Sequence, residues 1–147
     1  MTPSLAGTLL KDSTKSCVCH ITPEGLPSLL AAASAAGMTV RRIDLKSVHS
    51  KGALFDSLSS ALSFPKWFGR NWDAVADCLG DLSWLPASGY VLTLENSDEL
   101  NRRLGDDFSI ATQVLAAAAD LWREQRVPFW VLLDARVTGI PAFDDIK

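Results

Sequence analysis

Two rhythms of apolar residues alternate along the chain. Tyr90 to Leu94 (YVLTL) and Phe129 to Leu133 (FWVLL) are short, continuous apolar runs, the pattern of strands covered on both faces. Thr39 to Leu45, with Val40, Ile43 and Leu45, supplies a third strand, and Cys17 to Ile21 reads as a short fourth. Between them the spacing turns helical. Pro23 and Glu24 open an Ala/Leu-rich helix that stops at Gly37, and Ser50 or Lys51 to Leu62 carries Leu54, Phe55, Leu58, Ala61 and Leu62 three and four residues apart. Ser63 to Arg70 (SFPKWFGR) breaks the rhythm as a loop. Asn71 can then cap a helix on which Trp72, Val75, Ala76, Leu79 and Leu82 share a face, ending near Trp84 before Pro86. A short polar helix over Ser97 to Leu104 follows, then a long one from Asp107 or Ser109 to about Gln125. Met1 to Ser16 shows no periodicity and reads as a loose lead-in, whereas Val137 to Lys147 reads as a tail packed through Ile140 and Phe143.

Parallel strands need crossovers of a dozen or more residues, and every gap between these strands is that long. The expectation is an α/β fold: a small parallel sheet, right-handed in its crossovers, with helices against it.

Length and composition narrow the class. At 147 residues the chain is one domain long, able to bury about 68–70% of its unfolded surface without disulfides or metals. Three cysteines are an odd number for a disulfide framework and point to reduced thiols in a cytosol. Apolar stretches such as Leu29 to Ala36 and Val114 to Ala119 fall short of the roughly 18–20 residues of a membrane span, and Met1 to Lys15 lacks a basic leader pattern. The expectation is a cytoplasmic protein with no membrane partner. The net charge of −3 says little, but its distribution says more. Met1 to Arg70 holds eight basic against four acidic residues, whereas Asn71 to Asp107 holds two against eight. That middle block repels a phosphate backbone and attracts a basic protein, which argues against nucleic acid as the partner.

The acidic block has a geometry. Asp73, Asp77 and Asp81 stand at i, i+4 and i+8, so one helix presents three carboxylates in a stripe, at a cost of a few tenths of a kcal/mol per like-charged pair. A stripe of this kind is commonly only a solvated face. Here Trp67 and Phe68 stand in the loop just before it, and aromatics beside carboxylates make a binding patch for a basic partner. Read as an enzyme, Asp73 and Asp77 would be a magnesium pair, but no second carboxylate cluster accompanies them. Cys17, Cys19 and His20 lack the second ligand pair of a zinc site and fit a buried strand better. With His20 and His49 as the only histidines and no nucleophile–base–orienter set, the expectation is a non-catalytic protein without metal or cofactor.

The run FPKWFGRNWDAVADCLGDLSWL, Phe64 to Leu85, resembles the barstar family of ribonuclease inhibitors, whose signature is Pro, two aromatics, Gly, Asn, an apolar residue, Asp, and then Asp-Cys-Leu four residues on. The resemblance implies a three-layer α/β sandwich over residues 39–134, with residues 1–38 as an added strand–helix unit on the same core and 135–147 as a tail. It also implies an antitoxin-like or immunity-type protein, monomeric when free, that plugs the active site of a small basic barnase-like ribonuclease or related nuclease toxin. Carried over by position, Trp67 would lie over the enzyme's groove and Gly69 would offer its backbone amide. Asp73 and Asp77 fall on the interface aspartates, with Asp77 in the phosphate pocket, while Asn71 and Cys78 match capping and packing positions. Phe68, Arg70 and Asp81 complete the expected surface. Ala76 departs from the pattern, standing where the minimal family member has an interface Trp; that member's further interface Glu falls in the alanine-rich last helix. The rival expectation is a non-catalytic module that uses this surface on a partner other than a ribonuclease.

Overall fold

The computed structural model of the chain describes residues 3–146. Its elements are α1 (Pro3–Lys11), β1 (Val18–His20), α2 (Leu26–Ala35), β2 (Thr39–Asp44), α3 (Lys51–Leu62), α4 (Trp72–Asp81), β3 (Tyr90–Glu95), α5 (Ser97–Arg103), α6 (Gly105–Glu124), β4 (Phe129–Leu133) and a 3-10 turn at Phe143–Asp145. The four strands form one parallel sheet in the order β1-β4-β3-β2, with Tyr90 opposite Phe129 and Thr39 opposite Tyr90. This is the expected mixed α/β architecture, with the Cys17–Ile21 strand at an edge.

Side-chain alternation divides the interior into two cores. Tyr90, Leu92 and Leu94 of β3 join Phe129, Val131 and Leu133 of β4 in a core that includes buried residues of α3, α4 and α6. Val91, Trp130 and Leu132 point to the other face and pack with Ala6, Leu10, Leu29, Leu30 and Ala33 of α1 and α2. Both faces of the two central strands are therefore dry, as their unbroken apolar runs require.

Three sequence expectations need correction. Residues 3–11 form a helix within what the sequence reads as a loose lead-in, so the described segment before β2 is helix–strand–helix. Its anchor is Leu10, fully buried, whose carbonyl accepts the Trp130 indole N–H at 2.8 Å. The long helix begins at Gly105, with only Leu104 between it and α5, which places Asp106 and Asp107 in its first turn beside the positive helix end. Finally, α4 stops at Asp81: Leu82 takes a left-handed conformation (φ 48°), its N–H reaches the Cys78 carbonyl, and its side chain turns into the core at 1% exposure. Burying Leu82 outweighs continuing the helix to Trp84.

The carboxyl ends of β2 and β3 are tied by charge. The Arg42 guanidinium grips Glu95 in a bidentate pair at 2.6 and 2.9 Å, which holds the Glu95 carboxyl below its ordinary value with help from the Thr93 hydroxyl. Asp44 is likewise held low by the Lys46 backbone N–H and the Asn96 amide. Both carboxyls titrate lower in the folded than in the unfolded chain, so their stabilisation is complete above the unfolded values and is lost as pH falls through the folded ones. Stability measured by urea midpoint should therefore decline below about pH 4. Glu95→Gln should flatten that acid limb modestly, because Arg42 is largely exposed; an unchanged limb would show that the pair contributes nothing.

Candidate protein-binding site

The loop before α4 is held by aromatic packing. Phe68 is half-buried, its ring edge-on to Phe64 at 4.9 Å and to Phe55 of α3 at 6.2 Å, and Trp72 meets Phe55 at 5.0 Å. With these two rings turned inward, Trp67 is left outside at 60% exposure. It is positioned all the same, standing edge-on to Trp84 at 5.9 Å, whose indole N–H donates to the Leu62 carbonyl at 3.0 Å. An exposed aromatic with little freedom to lose is well suited to a protein contact.

The turn into α4 is built from Arg70 and Asn71. Arg70 adopts a left-handed φ of 53°, and its guanidinium pairs with Asp56 and lies 3.4 Å from the Gly52 carbonyl, tying the loop to α3. Asn71 is the N-cap: its side-chain oxygen accepts the Ala74 N–H at 2.7 Å, and its amide lies 3.4 Å from the Gly69 carbonyl. Asn71→Ala should cost about 1 kcal/mol of stability in chemical denaturation, since an orphan N–H of the first turn loses its acceptor. Gly69 is exposed, and a Cβ there would meet Asn71 only at 3.4 Å, so side chains at this position are excluded neither by conformation nor by the fold.

On α4 the two faces separate cleanly. Val75, Cys78 and Leu79 are buried, whereas Asp73, Asp77 and Asp81 are exposed. Among the described residues none of the three aspartates makes an ion pair within 4 Å. Their field is felt behind them: the Cys78 thiol is pushed up by burial first and by the Asp77 and Asp81 charges next. Ala76, grouped with the apolar face by spacing, is exposed beside Asp77.

The site residues expected from sequence thus fall into two groups. Trp67, Gly69, Asp73, Ala76, Asp77 and Asp81 are exposed, and among the described residues the three carboxylates and the Trp67 indole N–H have no hydrogen-bond partner, whereas Phe68, Arg70 and Asn71 are engaged in holding the loop and the helix end. Sequence reasoning did not find Leu121 of α6, 49% exposed, which flanks α4 closely enough that a Cβ on Gly80 would lie 3.5 Å from it. Asp56 and Trp84, the supports of Arg70 and Trp67, also went unseen, because their partners are 14 and 17 residues distant along the chain.

The remaining candidates have structural settings. Cys17, Cys19 and Cys78 are free thiols; Cys17 is lowered by its hydrogen bond with Cys19 and by the Arg123 charge, while Cys19 is raised by that same bond and by burial. No cluster of three or more metal-ligating side chains occurs among the described residues, and none of the helices is long and apolar enough to cross a membrane.

Comparison with known proteins bears on this same region. The family model Barstar (barnase inhibitor) matches residues 38–134, which contain the whole loop and α4. "Putative ribonuclease inhibitor YrdF" of Bacillus subtilis (strain 168) is 33% identical over 92 residues, covering 63% of this chain and 94% of that protein. With the signature lying on a capped acidic helix and the family match spanning all but one edge strand of the sheet, the chain belongs to the barstar family.

Proposed function

We propose that this protein is a non-catalytic ribonuclease inhibitor of the antitoxin or immunity type, acting in the cytoplasm on a small basic barnase-like ribonuclease. The observation that carries the reading is the unneutralised stripe Asp73, Asp77, Asp81 behind a fixed, exposed Trp67. A ribonuclease cleft is lined with cations that hold RNA phosphates, and three carboxylates spaced along a rigid helix can occupy those positions without any nucleotide. Asp77, central in the stripe, enters the phosphate pocket; Trp67 covers the groove beside it, and Gly69 leaves room for backbone contact. The description of its relative as a ribonuclease inhibitor supports the same reading.

Residues 39–134 form the inhibitory domain, and the described residues on either side of it, 3–38 and 135–146, pack on the same sheet. The free protein is a monomer. Titrating barnase, as a purified small basic ribonuclease, with this protein tests the proposal: RNA cleavage should fall in a stoichiometric manner. Undiminished cleavage at excess protein would leave the surface to a partner other than such a ribonuclease.

A further inference from the structure

The carboxyl ends of β1 and β4 lead into a cavity of about 580 Å³. None of its lining residues lies within residues 38–134; they come from His20 to Thr22 and from the segment after β4. Ligands in open parallel sheets sit beyond the carboxyl ends of the strands, and this volume suits a small molecule.

The polar lining is His20, Thr22, Arg136, Thr138, Asp144 and Asp145. His20 is only 8% exposed, and its main chain is fixed by an N–H donated to the Pro141 carbonyl at 2.8 Å. Among the described residues its imidazole has no hydrogen-bond or ion-pair partner, and its nitrogens are not sealed from solvent, so the ring borders the cavity free to bond a ligand there. Arg136, Asp144 and Asp145 border the same space, yet none of them is paired within 4 Å among the described residues. Exposed side chains of opposite charge thus border one cavity without pairing. Asp144 and Asp145 are fixed by the buried Phe143, whose ring meets Trp130 at 5.5 Å. The groups do not form a metal-binding cluster.

A ligand of one sign would leave the other sign uncompensated. We propose that this cavity binds a small zwitterion of the amino-acid type, its carboxylate held by Arg136 and His20 and its ammonium by Asp144 and Asp145. The site is independent of the acidic helix, so the inference stands or falls apart from the ribonuclease reading.

The test is a titration of the whole protein, followed by NMR at the His20 ring and neighbouring amides. The probes are each of the common amino acids, with propionate and ethylammonium as one-ended controls, at up to about 10 mM, enough to fill most of a millimolar site. Saturable shifts with at least one amino acid are expected, with both controls at least about tenfold weaker. Arg136→Gln and Asp145→Asn, both at exposed positions, should each weaken binding about tenfold or more with the melting temperature unchanged, whereas Asp77→Ala should bind as wild type. Absence of saturable shifts with every amino acid, a one-ended control that binds equally well, or wild-type binding by both cavity variants would overturn the proposal.

Discussion

Asp77→Ala is expected to weaken inhibition of a small basic ribonuclease by about 2–5 kcal/mol, some thirtyfold to several thousandfold. The loss is large because the partner, not this chain, bears it. Asp77 lies exposed at the middle of α4, so removing it leaves the free protein nearly unchanged. In the complex, however, a cation of the enzyme's phosphate pocket stays desolvated and loses its counter-charge. Asp73→Ala and Trp67→Ala should cost less, and Asp81→Ala, at the last turn of the helix, should mainly slow association. The check is an inhibition constant for each variant together with its melting temperature: affinity should fall while stability holds. Equal inhibition by Asp77→Ala and wild type would remove Asp77 from the interface.

Salt should act on the rate of binding more than on its lifetime. Among the described residues the three α4 aspartates have no ion-pair partner within 4 Å, and a basic cleft would relieve their repulsion at long range, before contact. Screening beyond about 8 Å at physiological ionic strength removes that steering. The association rate in stopped flow should therefore drop by about 10- to 1000-fold from low to high salt, with a much smaller change in dissociation. A salt-independent on-rate would mean that the stripe is a solvated surface and nothing more.

Much of this surface was legible in the sequence because its determinants are local. Asn71 caps the helix it precedes, the i, i+4, i+8 aspartates share a stripe by helix geometry alone, and the apolar runs YVLTL and FWVLL declare strands buried on both sides. What stayed hidden depends on tertiary contact. Phe68 and Trp67 are adjacent aromatics in one loop, and only packing against Phe55 and Phe64 turns one inward and leaves the other out. Arg70 is expected on the binding surface, and only its pairing with Asp56 on α3 shows that it also ties the loop to that helix. The first helix was missed although Ala6, Leu9 and Leu10 recur at helical spacing, because Pro, Gly, Ser and Thr around them weaken the local signal; α1 gains its hold from covering Trp130, 120 residues away. Ala76 was grouped with the apolar face by spacing, yet α4 turns it to solvent beside Asp77.

The central claim is that one surface, the loop at Trp67 with the exposed face of α4, docks on the ribonuclease. Amide hydrogen exchange of this protein, free and mixed with barnase, tests that claim most directly. Added protection confined to residues 66–82 and the adjoining α6 turn around Leu121, with His20 and Arg136 unchanged, is the expected result. Protection centred on another face, or a profile identical with and without the enzyme, would contradict it.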